Sequence, residues 1–139
     1  MSRIENLVFD TGERYPILLG DNDIPNYWVT LYVTEILRPL QTQSAMINTI
    51  GHLIHLKLWE EINNRNLIEE LSQAKFLSDE DIYSLRDHCM QDTRSLKKWH
   101  KSSNHNIVRF ASASTASVTP IQSVSAPHAS NRMAHIASF

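Results

Sequence analysis

Apolar and polar positions recur along this chain with two different periods, and each period points to a different kind of element. Residues 7–19, LVFDTGERYPILL, hold two short apolar runs on either side of Asp10, Thr11, Gly12 and Glu13. Apolar runs flanking turn-forming residues predict a hairpin or an extended pair. A lone hairpin is marginal in water, so this one must lean on something larger. GDNDIP follows, and its Pro25 suits the first position of a helix. Residues 26–37, NYWVTLYVTEIL, are apolar on nearly every side. Their β-branched content would also suit a strand, but a three-turn length beginning at a proline favours a helix. A helix that is apolar all round is a central one, which predicts Trp28 in the core.

Pro39 breaks that run, because proline disfavours the α conformation of the residue before it. Thr42 then reads as the N-cap of a helix reaching about residue 61. Met46, Ile47, Ile50, Leu53, Ile54 and Leu58 form its inward stripe, and Ser44, Asn48, His52, His55 and Trp59 fall on the opposite face. After Asn63 and Asn64, a short helix over 66–73 turns Leu67, Ile68 and Leu71 inward. Ser78 then caps a helix to about residue 91, with Asp79, Glu80 and Asp81 in the first turn, where the helix dipole favours acids. Ile82, Leu85 and Cys89 mark its inward face.

The pattern therefore predicts an all-α fold. It consists of a compact four-helix N-terminal module over residues 1–92, a short N-terminal hairpin or extended segment, and a flexible C-terminal tail. Residues 93–130 are basic and then rich in Ser and Ala, a texture that cannot bury enough apolar surface to offset chain entropy, and they read as a linker. Residues 131–139, NRMAHIASF, begin a further helix that the end of the sequence truncates.

Composition adds three constraints. Of 139 residues, 42% are hydrophobic and 20% charged, a globular balance. Cys89 is the single cysteine, which leaves no internal disulfide and makes the reducing cytoplasm the expected compartment. No stretch has the layout of a signal peptide or the length of a membrane span, so no membrane partner is expected. The formal charge of −2 hides an asymmetry: residues 1–92 carry seven Lys/Arg against all fifteen Asp/Glu, and residues 93–139 carry six basic residues and no acid. Such asymmetry points to a charged partner for one segment.

The candidate chemistry follows the same asymmetry. Residues 36–59 contain no Asp or Glu but keep Arg38 and Lys57. Within that window Gln41, Thr42, Gln43, Ser44, Asn48 and His52 offer hydrogen-bonding groups without negative charge, as a surface approaching phosphates requires. Lys97 and Lys98, with Arg94 and Lys101 around Trp99, could track a phosphate backbone. An uncharged helix face and a solvated linker are the plainer readings of these two features, and both alternatives stay open at this level. His52 and His55 lack the four converging ligands of a structural zinc site, so no metal or cofactor is expected. Cys89 lies on an apolar face, where thiols are inert. Glu69 and Glu70 sit on a helix surface without a cleft, so the sequence offers no catalytic constellation.

The run TLYVTEILRPLQTQSAMINTIGHLIHLKLW resembles the N-terminal DNA-binding part of the tyrosine recombinase (phage integrase-like) family. The family pattern of a helix, a Thr/Ser corner and a helix of the form "T…L..I..L..W" is met here by Thr42, Ile50, Leu53 and Trp59. NLIEELSQAKFLSDEDIYSLRDHC is similar to a segment of certain bacterial integrases, through Phe76, Leu77, Ser78, Asp81, Ile82 and Leu85. GERYPILLGDNDIP looks like the lead-in of that group, and residues 131–139 give a weaker echo.

What the resemblance implies is a helical domain that helps clamp double-stranded DNA at a recombination site. It would be joined to a catalytic domain that uses arginines, a lysine, histidines and a nucleophilic tyrosine. That catalytic set is absent here; Tyr15, Tyr27, Tyr32 and Tyr83 all lie in the N-terminal part. The expectation is thus a non-catalytic N-terminal fragment of a site-specific recombinase. Its DNA contacts would come from Arg38, Gln41, Thr42, Gln43, Ser44, Asn48, His52, Lys57, Lys97 and Lys98, with other recombinase protomers as further partners. A helical protein-interaction module without a nucleic-acid role is the alternative.

Overall fold

The computed structural model describes residues 2–105 and 121–139. The first turn is set by Gly12, whose φ of +83° lies in the region that favours glycine. Around it, the Phe9 N–H donates to the Glu13 carbonyl (2.9 Å) and the Gly12 N–H to the Phe9 carbonyl (2.8 Å). This turn joins β1 (Arg3–Val8) to β2 (Arg14–Leu19), antiparallel, with Arg3 opposite Leu19 and Val8 opposite Arg14. β1 is exposed along most of its length, whereas β2 buries Tyr15, Leu18 and Leu19.

Asn26 caps α1 (Tyr27–Tyr32), its side chain accepting from the Val29 N–H at 3.1 Å. Pro25 therefore stands before the cap, bridged to Leu19, and not at the first helical position. The helix continues as a π-helical turn over Val33–Leu37, closed by a bond from the Arg38 N–H to the Val33 carbonyl (2.8 Å). Arg38 keeps helical dihedrals despite preceding Pro39. The wider turn accommodates a proline whose ring crowds the carbonyl four residues back. Val29, Val33 and Leu37 recur at four-residue spacing on the buried side. Trp28, expected in the core, is instead 48% exposed. A run that is apolar all round carries no phase, and the buried side is the one that Val29 shares with the hairpin.

α2 (Gln43–Asn63) is the long element; Thr42 Oγ1 accepts from the Ala45 N–H at its start (3.4 Å), and Asn64 at φ +51° turns the chain away at its end. The chain divides into two compact units. The first comprises Met1–Glu61 and Ala134–Phe139. Its core joins Tyr15 and Leu18 of β2, Val29, Val33 and Leu37, and Met46, Ile50, Leu53 and Ile54 of α2. Phe139 packs against this core and meets Tyr32 edge-on at 5.3 Å between ring centroids.

The second unit is Ile62–Met133. Here Asn66 caps α3 (Leu67–Ser72), and Ser78 with Asp81 forms a reciprocal capping box on α4 (Asp79–Cys89). Asp92 starts α5 (Thr93–His105) by accepting from the Ser95 N–H at 2.9 Å. The last helix, α6, spans Ala126–Ser138. Arg132, buried, donates from one terminal nitrogen to the carbonyls of Cys89 (2.8 Å) and Gln91 (2.9 Å), which closes the C-terminal end of α4.

The expected all-α fold is therefore corrected to a helix-rich mixed fold with a two-stranded antiparallel sheet. The hairpin is no appendage, because β2 supplies core residues to the first unit. The expected flexible tail is corrected as well. Residues 93–105 are helical because Asp92 caps them and Leu96 is buried, and α6 begins at Ala126 and not at residue 131. The Ser/Ala-rich centre of the expected linker, 106–120, lies outside the described residues.

Candidate nucleic-acid interface

The acid-free window has a structural cause. Eleven of the 21 residues of α2 are buried, among them Thr49, His52, His55 and Trp59. A helix buried on most sides excludes unpaired carboxylates, since burying a lone charge is costly. Two acids stand near its end: Glu61 is exposed, and the buried one, Glu60, is paired with Lys57 at 2.6 Å, with side chains only 6% and 16% exposed. His52 is thus removed from the exposed face where the sequence placed it. It is buried and stacks on His135, with ring centroids 4.8 Å apart and planes inclined by 22°. Lys57 is half-buried and committed to Glu60.

The other residues of the window divide by use. Thr42 serves as a cap, Ser44 and Asn48 are exposed, and Gln41 Oε1 accepts from Thr49 Oγ1 at 3.3 Å. Arg38 holds Glu13 with two parallel bonds, from Nε (2.9 Å) and from a terminal nitrogen (2.7 Å), while its guanidinium carbon lies 5.7 Å from the Phe9 ring centroid and 5.8 Å from that of Tyr15. The hydrogen bonds from Arg38 hold the Glu13 carboxyl below the usual carboxylate range, and the same bonds raise Arg38. Between the hairpin turn and the start of α2 lies an open groove of about 390 Å³, bordered by Glu13, Arg14, Arg38, Gln41 and Gln43. Sequence reasoning missed Arg14, because only the closed turn brings it beside Arg38.

α5 presents the second group of expected contacts. Arg94, Lys98 and Lys101 follow one another at four- and three-residue spacing and are all exposed. Leu96 lies on the opposite side with His100 and Ser103 turned partly inward, and Lys97 is half-buried at the boundary. Trp99 is 40% exposed. No acid occurs in this helix. An exposed cationic row on a rigid rod at helical spacing is suited to successive anionic groups.

Other chemistry finds little footing. Cys89 is buried, and burial pushes its thiol up to about 11, against a smaller opposing effect of Arg132. Among the described residues no three His, Cys, Asp or Glu side chains converge as metal ligands, and no helix is long and apolar enough to cross a membrane. Comparison of the chain with protein-family models, curated proteins and solved structures returns no match. Fold and geometry together define a helix-rich α+β chain bearing one solvent-facing basic helix.

Proposed function

We propose that this chain supplies DNA contacts, without catalytic residues of its own, to a site-specific strand-exchange protein of the tyrosine-recombinase kind. The observation that carries the reading is the exposed row of Arg94, Lys98 and Lys101 on α5, a helix without a single acid. The exposed Ser44 and Asn48 on α2 add neutral hydrogen-bonding groups. Contacts of this kind position a protein on the phosphate backbone and carry no sequence information themselves. Target choice would then reside in other parts of the recombination complex.

The test is duplex binding followed by fluorescence anisotropy across a salt series. Each phosphate contact contributes a slope of about −0.9 to the dependence of log K on log salt. Replacing Arg94, Lys98 and Lys101 together by Gln should weaken binding and flatten that slope by roughly 3. An unchanged slope would remove α5 from the interface.

A second reading rests on a different observation. Ile24, Tyr27, Trp28 and Leu31 are exposed around the start of α1, with the Tyr27 and Trp28 rings in edge contact at 5.1 Å. Exposed aromatics are enriched in protein interfaces, so a protein partner, including another recombinase protomer, suits this region. Sedimentation of wild type and a Trp28→Ser variant with the partner protomer would separate the two roles. A loss of association with duplex affinity intact would assign α1 to protein contact.

A further inference from the structure

We propose that the groove between the hairpin turn and the start of α2 binds a single tetrahedral oxyanion, a phosphate group, held between the guanidiniums of Arg14 and Arg38. The inference deepens the proposed function, and rests on it only for the source of the phosphate.

The argument starts from how Arg38 is held. A guanidinium carries five N–H donors in a planar fork. Nε and one terminal nitrogen are turned onto Glu13, and the neighbouring Phe9 and Tyr15 rings, 5.9 Å apart, lie together 5.7 and 5.8 Å from the guanidinium carbon. The cation is thereby fixed in place while its remaining N–H groups are left for another acceptor. Arg14 follows Glu13 directly, is exposed, and has no carboxylate partner among the described residues. Both arginines border the groove.

The neutral lining has the same polarity. Gln41 turns its carbonyl oxygen toward Thr49 Oγ1 (3.3 Å), whose proton the Ala45 carbonyl also accepts (3.1 Å), and its amide nitrogen is a donor it can offer. Gln43 adds a second amide. The one acceptor-only group in the lining, the Glu13 carboxylate, is already engaged by Arg38. Donors thus outnumber free acceptors, and they come from the hairpin turn, from the end of the π-helical turn and from the approach to and start of α2. A ligand that only accepts, and accepts in several directions, matches this set. A phosphate does so, and Arg forks suit it in particular. A volume of about 390 Å³ is ample for such a group.

Glu13 plays a double part. It anchors Arg38, and it also places a negative charge beside the incoming anion. Replacing it by Gln keeps a hydrogen-bond acceptor for Arg38 and removes the repulsion, so affinity should rise about fivefold, the effect of one nearby charge in a solvent-exposed setting.

The experiment is a titration of the full chain with inorganic phosphate, followed by the Nε–Hε resonances of the arginines, with sodium chloride at matched ionic strength as the control. The expected result is that Arg14 and Arg38 shift with phosphate and not with chloride. Glu13→Gln should tighten the response, Arg14→Gln should abolish it, and Gln replacement of the α5 cations should leave it unchanged. Absence of a phosphate-specific shift, or an Arg14→Gln variant that titrates like wild type, would overturn the site whether or not the protein binds DNA. A parallel duplex titration assigns the source. Weaker duplex binding by Arg14→Gln supports a backbone phosphate, and unchanged duplex binding with phosphate binding lost supports a free phosphate ligand. Failure of every variant and of wild type to bind duplex would count against the proposed function alone.

Discussion

Leu53 offers the most direct test of how the first unit is held together. It is completely buried on α2, among Ile50 and Ile54 of the same helix, Val33 and Leu37 of the π-helical turn, and Leu18 of the hairpin. Leu53→Ala removes three carbons. At about 0.8 kcal/mol each, the lost transfer free energy is about 2.5 kcal/mol. Helices and a paired hairpin surround the site, so collapse around the vacancy is limited and the cavity should raise the cost to about 3–5 kcal/mol. That is a large share of the roughly 5–15 kcal/mol that holds a domain folded. With a urea m-value of about 1–3 kcal/mol/M, the midpoint should fall by one to several molar units at constant m. Leu40→Ala is the matched control, since Leu40 is 80% exposed and surface changes usually stay within about 0.5 kcal/mol. Urea titrations of both variants, read by circular dichroism, decide the matter. Equal midpoints for the two would refute the packing argument and with it the phasing of α2.

Two further predictions concern the second unit. Arg65 bonds Glu70 and Asp81 together, and its hydrogen bonds hold both carboxyls below their ordinary values. A lowered folded-state value means stability that is present above the unfolded carboxylate range, near pH 4, and lost as pH falls through the folded values. Urea midpoints should therefore drop on acidification below about pH 4.5, and less steeply in Arg65→Met; parallel pH profiles for the two proteins would contradict this. Cys89, with its thiol pushed up to about 11 by burial, should resist alkylation at neutral pH until urea unfolds the chain. Stoichiometric labelling of the folded protein would show that the thiol is reachable after all.

Local chemistry made several elements legible in the sequence. The hairpin turn at Gly12, the stripe of Met46, Ile50, Leu53 and Ile54, and the Ser78 cap with its three acids each depend on neighbours within a few residues. What failed depended on distant partners. That the hairpin must lean on something larger was legible, but not that β2 would give Tyr15 and Leu18 to a core shared with α2. His52 and His55 look like surface residues by polarity, and only the fold shows them buried. α5 has few apolar residues of its own; its Asp92 cap was a readable signal that the basic composition obscured. Among the candidate contacts, Lys98 was read from sequence as part of a basic linker, and its place on an exposed helix face, like the meeting of Arg14 and Arg38 at one groove, required the fold.

The π-helical turn at Val33–Leu37 has a meaning in terms of chain length. Its bond spans five residues, from Val33 to Arg38, where an α-helix spans four. The turn is therefore a one-residue reserve inserted into a helix. Removing either Glu35 or Ile36, both exposed, would let an ordinary α-helical bond replace the longer one while Val33 and Leu37 still turn toward the same side. A deletion in the middle of α2 has no such slack, because it rotates every later residue by about 100°, the turn per residue of an α-helix. Tolerance to a lost residue is thus concentrated in one short stretch of the first unit, between an aromatic helix and the arginine that clasps the hairpin.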